Sequence, residues 1–400
     1  MSAKNGIVRL EDLPTKSVCV KFPDNLQKSM IKTAVNIVKG RYNLARKLSV
    51  EPTTIYDFEK CRFKSVELSF VKKLSDFLVK NNFEEFSLEY LETKLTSIKT
   101  KWIGKNIFRP KFPMNFNNVE GARLISGILF DGGLSSDLRP FYTNNEEFLI
   151  DNLITSVKEI VGNIEFNKRK NRNNLQVDFP KILGLIFING LGILPGSKLF
   201  NNPSLPQFIL NNPKLYSTFL QQAFDDEATV NVGLPNGGSK AIQLQQYNSQ
   251  NGIPVRLTQL KRMIERFEIN LSGPYGPTQI YNTKKGYTSY GFMIQITNQP
   301  DIRKFSETIG FSLPRKQQEL ELLLNSYKLP PRFKRGMKFD IVLKACKELK
   351  DNGDKITIKS IANKMNRKES YVPELVREMA DQKKLNVKEE LGEKEFELIE

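Results

Sequence analysis

Apolar positions change their period along the chain. From Leu26 they recur at helical spacing (Met30, Ile31, Ala34, Val35, Val38), and Gly40 closes that helix. Leu44, Ala45 and Leu48 form a second short apolar face, Val50 falls in a tight turn, and Pro52 opens a helix carrying Ile55 and Phe58. Leu68, Val71, Leu74 and Leu78 predict a closing helix. Residues 1–25, broken by Pro14 and Pro23 and holding a short VCVKF strand, read as an arm. Residues 81–118 are weakly patterned, with Pro110 and Pro113 stopping regular structure, and read as a connector. ARLISGILFDGGL, residues 122–134, then predicts an apolar helix with small residues Ser126 and Gly127 at its middle, an aspartate at its end and two glycines beyond. RPFYTN predicts a strand and EEFLIDNLITSVKEIVG a helix. The order recurs: FLQQAFDDEATV, residues 219–230, ends in acids, and a long insert separates it from IPVRLTQL, read as a strand running into a helix that ends at Phe267. YGFMIQIT as a strand and DIRKFSETIGF as a helix complete the repeat. Residues 335–400 form a further unit, in which FDIVLKACKEL, ITIKSIANKM and SYVPELVREMADQKK predict helices, with Asn366 at a turn, and LNVKEE and KEFELIE flank LGE as a hairpin.

Composition narrows the chemistry. The chain has 400 residues, 39% of them hydrophobic, enough for roughly two to four globular units. Its 61 lysines and arginines against 44 acids give +17, which favours a polyanionic partner, and the basic residues cluster at Lys168, Arg169, Lys170 and Arg172. A second run, Lys99, Lys101, Lys105, Arg109 and Lys111, is placed to touch phosphates or simply to be solvated. With no histidine, Ser-His and Cys-His catalysis and imidazole ligation within the chain are excluded, so hydrolysis must rest on carboxylates and hard metals. Cys19, Cys61 and Cys346 form no CxxC pair and read as reduced, buried thiols. No apolar run approaches the roughly 18 to 20 residues of a membrane span, so a soluble, cytoplasmic, nucleoid-associated protein is expected.

The segment LARKLSVEPTTI resembles phage-repressor-like helix-turn-helix domains, which makes residues 26–80 a DNA-binding domain with Thr53, Thr54, Tyr56 and Lys60 on the outward face of its second short helix. A plain helical hairpin has the same pattern. Residues 335–400 resemble a winged helix that would offer Lys368, Ser370 and Tyr371 to a groove. Its hairpin acids (Glu389, Glu390, Glu393, Glu395, Glu397) would be repelled by phosphate, which leaves a protein partner open for this domain.

The repeated core resembles the two-motif, single-chain LAGLIDADG homing endonucleases. LISGILFDG, residues 124–132, and LQQAFDDEA, residues 220–228, align with the two motifs. FPKILGLIFINGLGILPGSK, LPQFILNNPKLYSTFLQQAF and YGFMIQITNQPDIRKFSETIGFSLPRKQQEL resemble phrases of archaeal members. The resemblance implies an α+β fold of two pseudo-symmetric αββαββα halves, residues 119–200 and 201–330, forming a DNA-binding saddle. It assigns Asp131 and Glu227 as the paired acids that hold Mg²⁺ (or Mn²⁺) over two scissile phosphates, with Asp225 and Asp226 as weaker candidates. It also implies base-reading side chains on the strands: Arg139 and Tyr142 in the first half, and Arg256, Thr258, Gln259, Tyr290, Gln295 and Thr297 in the second. For the family's active-site lysine, Lys198, Lys284 and Lys285 are candidates.

Three positions depart from the pattern. Ser126 replaces one glycine, Gln222 replaces the small residue where the helices touch, and Ala228 replaces the glycine after the second acid. Gln222 either hydrogen-bonds across the seam or widens it. Two functions follow: a divalent-metal-dependent, site-specific DNA endonuclease, and a non-cleaving transcriptional regulator on a degenerate core. Both halves lie in one chain, so a monomer is expected.

Overall fold

The first regular helix, Asp24–Val38, buries Met30, Ile31 and Ala34 completely and stops where Lys39 takes a left-handed conformation. Arg41–Leu48 and Pro52–Glu59 follow, with Leu44, Ala45, Leu48, Ile55 and Phe58 buried, and then Leu68–Lys80. The sharp turn between the short helices uses Ser49 at φ 52°, a conformation that costs a non-glycine residue roughly 1 kcal/mol. Arg41 donates through Nε and Nη2 to Glu59 at 2.7 and 3.0 Å, which ties the two helices together. The computed structural model describes residues 5–101, 104–171, 174–233, 239–282, 286–327, 338–365, 369, 372–382, 384–390 and 393–398. They form a mixed α+β molecule with several antiparallel sheets. It divides into two compact units, residues 1–297 with 301–320, and residues 298–300 with 321–400.

The segments read as an arm and a connector are both built into sheet. Val18–Lys21 lies between Val66–Glu67 and Ser97–Thr100 in a five-stranded antiparallel sheet that continues through Ile107–Phe108 to Asn163–Ile164. Ile7–Val8 pairs with Met114–Asn115. The strands are only two to four residues long, so their alternation is too brief to stand out in sequence. Because Asn163–Ile164 belongs to the stretch after residue 119, one sheet joins the N-terminal region to the repeated core.

That core runs twice through helix, two strands, helix, two strands, helix. The first pass comprises Val119–Leu129, Gly132–Leu134, Pro140–Asn144, Glu147–Val161, Asn167–Asn171, Asn174–Asp178 and Lys181–Leu191. The second comprises Tyr216–Glu227, Ala228–Asn231, Ala241–Asn248, Val255–Glu265, Ser272–Asn282, Thr288–Ile296 and Gln299–Thr308. In each pass the strands lie in the same spatial order, third, fourth, second, first. Two readings are corrected here. IPVRLTQL is helical: Pro254 precedes the first turn, and Leu257, Leu260 and Ile264 bury at helical spacing. The strand it displaced lies inside the supposed insert, at Ala241–Asn248, where the inward alternation Ile242, Leu244, Gln246, Asn248 ends in polar residues and so escapes an apolar pattern.

The second unit contains helices Lys338–Asp351, Ile358–Lys364 and Val372–Asp381 and the hairpin Leu385–Glu390 with Glu393–Leu398. Val342, Cys346, Ile361, Val372, Val376, Met379, Leu385 and Phe396 form its core. Thr357 and Ser360 make a reciprocal capping box at the start of Ile358–Lys364. No helix among the described residues is long and apolar enough to cross a membrane. Cys19 and Cys346 are buried free thiols, whereas Cys61 is only half-buried.

Candidate functional site

The two motif helices, Val119–Leu129 and Tyr216–Glu227, pack side by side. Buried Ser126 donates its hydroxyl to the Phe219 carbonyl of the opposite helix at 2.8 Å, so the backbones meet where the small residue stands. Gly127 serves a different neighbour: a Cβ there would lie 2.4 Å from Leu153 Cδ1. The helices end differently. Phe130 leaves helical dihedrals (φ −109°, ψ −89°), putting Asp131 outside the helix, and Gly132 follows where a Cβ would crowd the Phe141 carbonyl at 2.7 Å. Glu227 is the last helical residue of the second motif, and Ala228 enters the strand at φ −88°, ψ 153°. That backbone is open to any residue, so no glycine is needed after the second acid.

Basic side chains cover the carbonyls at both helix ends. Lys198 Nζ donates to Gly132 O at 2.7 Å and to Phe130 O, and Arg256 Nη1 donates to Leu129 O. Lys316 Nζ donates to Asp225 O at 2.6 Å and Phe224 O at 3.1 Å. These cations offset the negative end of each helix, which would otherwise oppose a carboxylate placed there. Lys198 and Lys316 stand at the same spacing after Gly192 and Gly310, both in positive-φ conformations (71° and 58°), a repeat visible in the sequence once the glycines are aligned. Burial pulls Lys198 down to about 8, and Lys316 is lowered for the same reason. Lys284 and Lys285 lie outside the described residues.

Two acids are linked between the helix ends, Asp131 and Asp226, through Asn144 and Tyr142. Burial first, and then the charge of Glu227, pushes Asp131 up to about 7, against a 2.7 Å bond donated by Asn144 Nδ2. Asp226, given little weight in the sequence, accepts from Tyr142 OH at 2.7 Å and Gln222 Nε2 at 2.9 Å. Its other oxygen is enclosed and makes no hydrogen bond. Burial, followed by the charge of Asp131, holds its carboxyl well above the usual range. Gln222 therefore does bond across the seam, reaching Tyr142 OH at 3.3 Å. Asp225 is occupied structurally, accepting from Ser312 N (3.1 Å), Ser312 Oγ (2.5 Å) and Leu313 N (3.1 Å) just before helix Pro314–Asn325.

Several predicted base-reading residues are placed elsewhere. Tyr142 is fully buried, because it alternates inward beside outward-facing Thr143. Arg256, Thr258 and Gln259 sit on helix Val255–Glu265 rather than a strand; Arg256 is 4% exposed, and Gln259 accepts from Leu205 N at 2.8 Å. Tyr290 opposes Asn248, on the face away from Gln295. Gln295 does lie on the open face, Thr297 is exposed just past its strand, and exposed Arg139 pairs with Asp137 at 3.1 Å. The open face of the second sheet carries a polar row of which Gln295 alone is among the predicted residues: Asn231 donates to Gln243 at 2.8 Å, Gln243 to Gln295 at 3.2 Å, and Tyr247 to Gln279 at 2.6 Å. On the first sheet Arg169 and Gln176 share Asp178, whereas Lys168 turns to the helix side and meets Asp151 at 2.9 Å.

In the N-terminal region Thr53, Tyr56 and Lys60 are exposed and Thr54 half-buried, with the Arg62 guanidinium 4.8 Å from the Tyr56 ring centre. Arg172, Asn366, Lys368, Ser370 and Tyr371 lie outside the described residues.

No protein-family model matches the chain, and no curated protein does. Among solved structures, it is similar to mesophilic variants of the homing endonuclease I-DmoI, at 16% identity and TM-score 0.34 over 52% of this chain and 98% of that one. It is also similar to full-length DUF199/WhiA from Thermatoga maritima, at 13% identity and TM-score 0.34 over 67% and 92% of the two chains. A third is the homing endonuclease I-WcaI bound to its DNA recognition sequence, at 15% identity and TM-score 0.29 over 50% and 85%.

Proposed function

We propose that this chain binds double-stranded DNA with the open faces of its two four-stranded sheets, read as pseudo-symmetric halves of a saddle, and hydrolyses phosphodiesters at Asp131 and Glu227. The observation that carries the reading is the hydrogen-bonded chain Asp131–Asn144–Tyr142–Asp226, which brings the acid just past the first motif helix beside the end of the second, where Glu227 follows. Among the described residues no three Asp, Glu, Cys or His side chains form a ready cage. Two carboxylates with phosphate and water oxygens nevertheless suit a hard divalent cation such as Mg²⁺ or Mn²⁺. When bound there, it would supply charge stabilisation and an acidified water. The chain's own residues orient Asp131 through Asn144 and cover the helix-end carbonyls through Lys198 and Lys316. The polar row Asn231, Gln243, Gln295 is suited to hydrogen-bonding base edges in a major groove.

In the same reading Pro52–Glu59 is the recognition helix of a helix-turn-helix, with Thr53, Thr54, Tyr56 and Lys60 towards DNA, and the unit from Lys338 onward is winged-helix-like and free to take a protein partner. One chain supplies both halves, so a monomer suffices. The test is incubation with Mg²⁺ or Mn²⁺ and a plasmid library, beside the Asp131→Asn, Glu227→Gln double variant. Cleavage by the wild type alone is expected; equal DNA binding by both with no cutting by either defeats the nuclease reading. A second reading, a regulator that binds without cutting, is favoured by the seam, where Gln222 and Asp226 of the second motif helix are committed to hydrogen bonds with Tyr142 and with each other.

A further inference from the structure

We infer that Tyr142 is a positioning residue: its buried hydroxyl links Gln222 and Asp226 of the second motif helix to Asn144, and through Asn144 sets the orientation of Asp131. The hydroxyl is fully used. It donates to Asp226 Oδ1 at 2.7 Å and accepts from Gln222 Nε2 at 3.3 Å and Asn144 Nδ2 at 3.4 Å. The side-chain amide of Asn144 has one orientation available, because its oxygen accepts from Glu146 N at 2.9 Å. Its NH₂ group must therefore face Tyr142 and Asp131, and it donates to Asp131 Oδ2 at 2.7 Å. The tyrosine ring is held in turn against the first motif helix, 3.4 Å from where a Cβ on Gly127 would stand. A continuous hydrogen-bonded path thus runs from the second motif helix, through a strand of the first half, to the acid of the first motif.

This path gives a use to two residues that fit poorly in an apolar seam. Gln222 and Asp226 are one helical turn apart, so both present to Tyr142 on one face. An enclosed carboxyl group there is tolerable only while hydrogen-bond partners hold it, and Tyr142 is the partner contributed by the other half. Displacing the second helix therefore moves Tyr142, then Asn144, then Asp131.

The consequence for rate rests on the nuclease reading, so the test separates the two. Wild type, Tyr142→Phe, and Tyr142→Phe combined with Asp226→Ala are compared by DNA affinity, single-turnover cleavage with Mn²⁺, thermal unfolding and crystal structure. Tyr142→Phe is expected to bind DNA within about twofold of wild type while cutting about tenfold to a hundredfold more slowly, because the acid is misplaced rather than lost. Its crystal structure should show Asp131 turned from Asn144. The combined variant, with no enclosed carboxyl left short of a partner, should regain thermal stability but not rate. A wild-type rate in Tyr142→Phe, or recovery of rate together with stability in the combined variant, overturns the inference. If the wild type cuts no DNA, the nuclease reading fails by itself and the structures decide: an unmoved Asp131–Asn144 bond overturns the positioning role, and a broken one upholds it. Should Tyr142→Phe not fold, Asn144→Ala carries the same comparison, and a wild-type rate there is equally fatal.

Discussion

The first motif helix gives up its acid beyond a break at Phe130, into a strand that begins with two glycines, whereas the second runs without interruption to Glu227 and passes directly into Ala228. The same residue type, glycine, is demanded by crowding at position 132 and by nothing at position 228. The seam is likewise lopsided: Ser126 brings the first helix close, while Gln222 and Asp226 make the second polar. Two halves with one strand order can therefore reach the same place by different local means, and a motif mismatch is informative only once the backbone that caused the rule is known.

The largest effect should come from the acids. Asp131→Asn or Glu227→Gln alone is expected to slow double-strand cleavage on the order of a thousandfold, equivalent to about 4 kcal/mol of transition-state stabilisation, with DNA affinity little changed. If only one of them matters, the halves are not equivalent; strand-resolved gel assays show which. Next in size are the two helix-end lysines. Lys316→Ala, at a buried site bonded to two carbonyls, should cost about 1.5 to 3 kcal/mol in denaturant unfolding, and half-buried Lys198→Ala less, with a greater loss in cleavage. Equal stability costs would contradict the difference in burial between the two sites.

A pH comparison is subtler. The folded value of Asp131, about 7, lies above the roughly 3.9 of an unfolded aspartate, so the folded state holds the proton more tightly. Its contribution to stability is present below about pH 4 and lost as pH rises towards 7, and Asp131→Asn should grow more stable relative to wild type across that window. Thermal unfolding from pH 4.5 to 7.5 measures it, and parallel curves would refute the assignment. Mn²⁺ affinity should rise over the same interval, as the carboxylate ionises. The smallest effect is expected at the periphery: Lys60→Ala should weaken DNA binding a few-fold and lower the salt slope by about one, measured by titration in increasing salt. An unchanged slope removes Lys60 from the interface.

The long apolar helices and the acids at their ends were legible in sequence because many residues repeat one period, and the chain spells both motif ends openly in LISGILFDG and LQQAFDDEA. Short strands were not. Asn167–Asn171 has no apolar residue, and its Lys168, Arg169 and Lys170 read as a charged run, while Asn174–Asp178 offers only Leu175 and Val177. In sequence a strand residue with a hydroxyl, such as Tyr142, suits base reading, but parity decides which face it occupies, and parity depends on a register the sequence does not display. Asp226 is equally hard to single out in sequence, because adjacent carboxylates look interchangeable until burial separates them.

The strand Asn163–Ile164, which closes the five-stranded sheet, also sets a timetable. Ile107–Phe108 can pair with Ser97–Thr100 as soon as both have emerged, but its other edge stays open until residue 164 is made. At ribosomal speeds of roughly 5 to 20 residues per second that exposure lasts several seconds, and any chain halted in the interval carries a bare strand edge able to pair with another nascent copy.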